Sequence, residues 1–349
     1  MSQIWTIADI PSQAGKRVLI TGANSGIGYH TAFTLARKGA DVIFACRDRR
    51  RGEAALRRLM DEAPGTTKLA ILDLASLDSI REFAERELEQ CRPIDVIINN
   101  AGVMCPPQRQ QTADGFELQF GTNVLGHFAL TGLLLPALQQ AAAESAQPPR
   151  IVTIASIAHK KGSLDFADLH CTKSYSPWKS YRQSKLANLM LALEMDRRLR
   201  SIYSDILSVA AHPGVANTNL FQTGQRPALE TVIRKCMGHL IGAFLNTDVE
   251  GALPTLYAAT APAVTGGGYY GPQGFQEMCG EEIGAAEIAP QALDRAAAAR
   301  LWETCEELTG VRYLCDPAED CNMESPRVPF SGQQDLPSLH SDQVDAFGV

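Results

Sequence analysis

No two of the nine cysteines are separated by just two residues, so the chain has neither a C-x-x-C redox pair nor the paired spacing of a zinc ribbon. Odd in number and scattered, they suit a reducing cytoplasm rather than a disulfide framework. No uninterrupted apolar run of about 18 residues occurs, which argues against a membrane-spanning helix. The start, Met1-Ser2-Gln3-Ile4-Trp5, lacks a basic stretch followed by an apolar one, so no signal peptide is expected. Surplus positive charge is missing as well. There are 39 acidic side chains against 32 basic ones, a formal charge of −7, and phosphate backbones select the opposite sign. The histidines are few, seven, and none stands at ligand spacing from another ligand type, so no catalytic metal is expected. Apolar residues, at 45 %, are not scarce: they suffice for a sizeable core and exclude a wholly disordered chain.

The acid surplus sits at one end. Residues 316–349 hold seven acids and one base, −6 in all, which leaves −1 for residues 1–315. With Pro317, Pro326, Pro329 and Pro337 and little apolar periodicity, 316–349 reads as a loosely packed extension, and 1–315 as the folded domain. Within that domain short apolar runs alternate with helical patterns. Val18-Leu19-Ile20, Val42 to Ala45, Leu69 to Leu72, Val96-Ile97-Ile98, Ile151 to Ile154 and Ile206 to Ala210 read as buried strands, with Gly268-Tyr269-Tyr270 as a seventh. Segments such as Ser76 to Glu89 and Ser180 to Ser201 are long enough for crossover helices. Repeated βαβ units predict an α/β fold, a single doubly wound, mostly seven-stranded parallel sheet flanked by helices.

The first strand runs into Thr21-Gly22-Ala23-Asn24-Ser25-Gly26-Ile27-Gly28 and then a helix. Glycines there allow a tight turn and close backbone approach to a pyrophosphate, and the helix offers unpaired N–H groups and its positive dipole end. At the tip of the second strand an NAD-binding fold carries an acid. Here Ala45-Cys46-Arg47-Asp48 puts an arginine there, suited to a ribose 2′-phosphate, and the acid falls past the expected place. NADP(H) is therefore favoured over NAD(H). Arg51 is a weaker candidate, and Arg49, Arg50, Arg57 and Arg58 read as a solvated helix face. Asp73 follows the third strand, placed either to accept from an adenine amino group or to cap a helix. Leu74 comes next, and Asn99-Asn100-Ala101-Gly102 ends the fourth strand, where small residues let an adenosine lie close.

Tyr181-Arg182-Gln183-Ser184-Lys185 places a phenol and an ammonium at i, i+4 on one helix face. A cation about 5 Å from a phenol, at an effective dielectric of about 20, favours the phenolate by about 3 kcal/mol, or about two pKa units. Such a phenol exchanges a proton with an alcohol or carbonyl as hydride moves. Ser156 ends the fifth strand, where its hydroxyl is placed to orient a substrate oxygen. Asn123 interrupts an apolar helix at a position where an amide is unfavourable unless something uses it.

Together, Thr-Gly-x-x-x-Gly-x-Gly at Thr21 to Gly28, Asn-Asn-Ala-Gly at Asn99 to Gly102, Asn123, Ser156, Tyr181 and Lys185 resemble the short-chain dehydrogenase/reductase family over about residues 14 to 310. The spacing of 25 positions from Ser156 to Tyr181, with Ser156-Ile157-Ala158-His159 and His212-Pro213-Gly214-Val215, is most similar to the retinol dehydrogenase-like branch, related to light-dependent protochlorophyllide reductases. The resemblance implies that Asn123 holds a water on its backbone leading to Lys185, and that Lys185 also grips the nicotinamide ribose. Asn100 and Gly102 would line the cofactor groove. Pro213-Gly214 would form the turn beside the nicotinamide, with Val215 and Thr218 near the carboxamide. It also implies pairing in many relatives through the helices holding Asn123 and Tyr181, which leaves a homodimer open.

The family places a substrate lid at about 215–245, a segment rich in Leu, Ile, Val, Met and Phe, which suits a lipophilic carbonyl or alcohol. Tyr175 and Trp178 would add an aromatic wall. His127 and His212 read as hydrogen-bonded structural groups and Cys105 as an inert thiol. The expectation is an NADP(H)-dependent oxidoreductase that interconverts a carbonyl and an alcohol, running as a reductase because cells keep NADP reduced. A silent NADP(H)-binding regulator and a C=C reductase are the alternatives.

Overall fold

Alternate residues of the central strands feed two different cores, which is why their apolar runs are continuous rather than confined to one side. Leu19, Ile43, Ile97 and Ile151 face one core, and Val18, Ile20, Val42, Phe44, Val96, Ile98 and Val152 face the other. The computed structural model describes residues 4–60, 62–63, 65–215 and 246–315. Its strands are β1 (Arg17–Thr21), β2 (Asp41–Cys46), β3 (Thr67–Ile71), β4 (Val96–Asn99), β5 (Arg150–Ile154), β6 (Leu207–Ala211), β7 (Tyr269–Pro272) and β8 (Ile283–Ala285). The helices are α1 (Gly26–Arg37), α2 (Arg49–Met60), α3 (Leu77–Leu88), α4 (Leu118–Glu144), α5 (Pro177–Ser201), α6 (Asp248–Thr260) and α7 (Arg295–Thr309).

The sheet order is β3-β2-β1-β4-β5-β6-β7-β8, parallel as far as β7. The eighth strand corrects the expected seven: β8 pairs antiparallel with β7, through Tyr270–Ala285 and Pro272–Ile283. The order reverses between β1 and β4, and loops leaving the carboxyl ends there bound a crevice. Local signals set the helices around it. Ser76 caps α3 by accepting from Ser79 N–H, and Ser176 with Pro177 opens α5.

Among the described residues α4 is the one helix long and apolar enough to cross a membrane, and 89 % of its most apolar window is buried in the fold. It is the central core helix. It and α5 are packed against α7 and Tyr313 of the same chain. Trp302 of α7 meets Phe128 edge-on at 4.9 Å and lies under the Arg198 guanidinium at 4.7 Å. A Cβ on Gly132 would run into the Tyr313 ring. The expected 316–349 extension and lid residues 216–245 lie outside the described residues.

Candidate active site

At the β1 exit, Gly22 and Gly26 take φ of +66° and +56°, a region open to glycine. A Cβ on Gly22 would stand 2.9 Å from the Ala101 Cα, so a side chain there would push the β1 turn off the β4 turn. Thr21 joins the two turns: its Oγ1 accepts from the N–H groups of Asn100 and Ala101, both at 2.9 Å. The Asn100 amide donates to the Thr21 carbonyl at 2.8 Å. Asn100 thus braces the groove with its side chain. Ser25 occupies the N-cap of α1 but makes no side-chain capping bond, so the first-turn N–H groups beside Asn24, Ile27 and Gly28 have no cap. That arrangement fits a pyrophosphate, for which uncapped amides and the dipole are the usual receptors.

The ends of β2 and β3 meet at the far side of the groove. Arg47 is 70 % exposed, with its Nη1 4.0 Å from Asp73 Oδ1. Asp48 is used otherwise: its carboxylate accepts the Arg51 N–H at 2.9 Å and caps α2. Asp73 accepts from Ala75 N–H at 3.0 Å, a local turn of the kind acids make before a helix, and the buried Leu74 follows.

Asn123 lies in a π-turn, Gly121–Leu125, within α4. Such an inserted residue frees backbone groups and often marks a functional site. Its amide is fully engaged. Oδ1 accepts from Val103 N–H at 2.7 Å, and Nδ2 donates to the Val103 carbonyl and to Ser184 Oγ, both at 3.0 Å. A Cβ on Gly102 would meet Asn123 Oδ1 at 3.4 Å and Lys185 Nζ at 3.9 Å, so Gly102 faces both.

His127, expected as a structural group, is one. Its Nδ1 is 3.1 Å from the Asn123 carbonyl and its Nε2 is 2.9 Å from Thr21 Oγ1. A carbonyl only accepts, so the proton is assigned to Nδ1, and Nε2 takes the Thr21 hydroxyl proton. The imidazole thereby clamps the Asn123 turn to the glycine loop. Burial lowers its pKa to about 4. The unfolded group titrates near 6.5, so between those values the unfolded chain holds more protons and stability falls as pH falls. From about pH 7 to about pH 5 this group should remove about 2 kcal/mol. In urea unfolding, His127→Asn should reduce the pH dependence by that amount; an unchanged dependence would contradict the assignment.

Ser156 follows β5 in extended conformation; its Oγ accepts from Ala158 N–H at 3.2 Å, and its side chain lies beside the Tyr181 phenol. Tyr181 and Lys185 lie one turn apart on α5 and both are buried. The expected lowering of the phenol by Lys185 does not occur. Burial pushes Tyr181 up to about 12, partly offset by the neighbouring Ser156 hydroxyl. Lys185 Nζ donates to the Ile154 carbonyl at 2.8 Å and stands 6.0 Å from the phenol ring centre. Burial also brings Lys185 down to about 8, so desolvation is the leading cause for both groups.

Beyond β6, Gly214 has φ of +69° within Pro213-Gly214-Val215, and Val215 N–H donates to the Met278 carbonyl at 2.7 Å. Thr218 lies outside the described residues. Trp178 is 48 % exposed, with its ring edge-on to Tyr181 at 6.1 Å. Tyr175 instead turns its hydroxyl inward, donating to the Pro106 carbonyl at 2.9 Å, so of the expected aromatic wall only Trp178 stands exposed at the phenol. Cys105 is half-buried, its Sγ 3.6 Å from the Pro177 carbonyl. The sequence did not point to Ser184, Val103 or Gln119: Ser184 Oγ and the Val103 backbone hold the Asn123 amide, and the Gln119 amide accepts from Cys105 N–H and donates to the Pro177 carbonyl. Of these, only Gln119, a polar side chain buried at an apolar helix start, left a trace in the sequence.

A doubly wound sheet with a glycine turn at β1 and serine, tyrosine and lysine gathered at the β5 edge is the frame of a nicotinamide-dependent dehydrogenase. The short chain dehydrogenase family profile matches residues 16–227. The chain is 41 % identical over 314 residues to human (Homo sapiens) retinol dehydrogenase 14, covering 85 % of this chain and 87 % of that one. It is 39 % identical over 303 residues to mouse (Mus musculus) polyprenol dehydrogenase, covering 86 % of each. The crystal structure of an uncharacterized protein from Mycobacterium Paratuberculosis superposes with a TM-score of 0.72 at 41 % identity, covering 89 % of this chain and 99 % of that one. This chain belongs to the short-chain dehydrogenase/reductase family and is an oxidoreductase. Within the family it falls in the retinol dehydrogenase-like branch.

Proposed function

We propose that the protein is an NADP(H)-dependent oxidoreductase that reduces the carbonyl of a lipophilic small molecule to an alcohol, with Tyr181 as the acid. The observation that carries this reading is the placement of Tyr181, buried on α5 one turn before the buried Lys185, with the Ser156 side chain beside its phenol. The site residues fit the dinucleotide. The uncapped start of α1 with Gly22, Asn24, Ser25, Gly26, Ile27 and Gly28 would hold its pyrophosphate, and Arg47 its 2′-phosphate, with Asp73 and Leu74 beside the adenine. Asn100, Ala101 and Gly102 would line the adenosine side, and Pro213, Gly214, Val215 and Thr218 the nicotinamide side. When bound, the nicotinamide supplies the hydride for the carbonyl carbon.

The protein does the rest. Ser156 donates to the substrate oxygen and holds it at the phenol, where Tyr181 delivers its proton as charge develops there. Lys185, held on the Ile154 carbonyl, keeps a positive charge near the phenolate left behind, which regains its proton from solvent; Asn123, bonded to Val103 and Ser184, keeps the α4 turn in place beside them. The name of a retinol and of a polyprenol dehydrogenase among the relatives, and the exposed indole of Trp178 beside the phenol, support an apolar substrate.

The test is NADPH oxidation against a series of aliphatic and isoprenoid aldehydes and ketones, with the product identified by mass spectrometry. Alcohol formation supports the reading. NADPH binding with no turnover would favour a regulatory module, and a saturated carbonyl product would favour a C=C reductase. The pH profile carries a sign. As pH rises through about 8, Lys185 loses its charge while Tyr181, at about 12, keeps its proton. Reductive kcat/KM should therefore fall above about pH 8, and Lys185→Arg, which stays charged, should remove that limb.

A further inference from the structure

Behind the catalytic side chains lies a charged cluster that none of these steps uses. Gln276 and Glu277 have φ of +50° and +58°. Successive non-glycine residues in the left-handed region persist only where their surroundings hold them. For Glu277 the carboxylate does the holding. Oε2 pairs with Lys160 Nζ at 3.0 Å, Oε1 accepts from Glu287 N–H at 2.7 Å, and His212 Nε2 stands 3.6 Å from Oε2. The His212 imidazole, then the Glu287 N–H and Lys160, hold the carboxyl down to about 2 despite its partial burial.

Each partner leads to the active site. Lys160 lies in the short helical turn Ile157–Lys161 that Ser156 caps, and His159 in the same turn has its Nδ1 2.7 Å from the Ser156 carbonyl. His212 follows β6 and accepts the Gly214 N–H on Nδ1 at 3.2 Å, which assigns its proton to Nε2, the nitrogen nearer Glu277. Met278, next to Glu277, accepts from Val215 N–H, and a Cβ on Gly214 would run into the Met278 carbonyl. One carboxylate therefore ties the serine segment to the turn after β6.

We propose that Glu277 is a positioning residue whose carboxylate locks the Gly214–Val215 turn against the Ser156 segment, setting the nicotinamide end of the groove relative to the serine and tyrosine hydroxyls. This rests on the proposed oxidoreductase function. Glu277→Gly removes the carboxylate and relieves the backbone, whereas Glu277→Gln keeps the side chain's size and removes its charge. The full-length variants would be compared with wild type by NADPH fluorescence titration, kinetics on an apolar aldehyde, and thermal unfolding. Both variants should bind NADPH about tenfold more weakly and lose about tenfold in kcat, with aldehyde KM within about twofold. The Tm of Glu277→Gly should hold or rise. Adding Lys160→Met to Glu277→Gln should cost little more, because the two act as one unit. Wild-type affinity and kcat in both variants, or activity lost only in step with a falling Tm, would overturn the proposal. Failure of the wild type itself to bind NADPH would defeat the functional reading on which it rests.

Discussion

Tyr181→Phe should lower kcat for carbonyl reduction by about 10³-fold while leaving NADPH affinity within about twofold. The substitution removes one oxygen from a buried ring, so packing against Trp178 and Lys185 survives. What goes is the proton held beside Ser156. Because burial pushes that phenol up to about 12, it is protonated through the neutral range and suited to give a proton rather than take one. Ser156→Ala should leave a larger residual rate, since it orients the oxygen without supplying the proton. Stopped-flow measurement of NADPH oxidation separates the two effects, because binding is read before turnover. A Tyr181→Phe variant retaining more than about a tenth of wild-type kcat would mean that the proton comes from elsewhere.

Arg47→Leu should weaken NADPH binding by about 30- to 100-fold and leave NADH binding nearly unchanged, the range expected for a charge-assisted pair to a phosphate. The side chain is 70 % exposed, and its nearest charge, Asp73 Oδ1 at 4.0 Å, is too far to hold it tightly, so the guanidinium is open to a ligand. Asp48, the nearby acid that might have favoured a bare ribose, is occupied in capping α2. The loss should shrink with added salt, since an exposed ion pair is screened. Calorimetric titration with the two dinucleotides is the check. Equal losses for both would place the 2′-phosphate elsewhere.

Much of this site was legible because its chemistry follows strand ends. The runs at Val18, Val42, Val96 and Ile151 located four strands closely, and Thr21, Arg47, Asn99 and Ser156 fall at or just past their carboxyl ends. The i, i+4 spacing of Tyr181 and Lys185 was readable for the same reason, as helix geometry fixes it. Three things were not. The strand Ile283–Ala285 has three residues, one of them glycine, and carries no apolar run. The π-turn at Gly121–Leu125 changes the hydrogen-bond register of α4 without changing its composition. Burial decided the titration of Tyr181 and Lys185, and spacing alone says nothing of solvent. Glu277 belongs to the same class: an acid in a loop reads as solvated until its partners, Lys160, His212 and Glu287, are brought together by the fold.

The most direct test uses NADPH carrying deuterium at the transferable position, with an α,β-unsaturated isoprenoid aldehyde as substrate and the wild-type and Tyr181→Phe proteins side by side. The account predicts an allylic alcohol bearing one deuterium on its carbinol carbon from the wild type, and almost none from the variant. Deuterium at the β-carbon of a saturated aldehyde, or equal alcohol yield from both proteins, would contradict it.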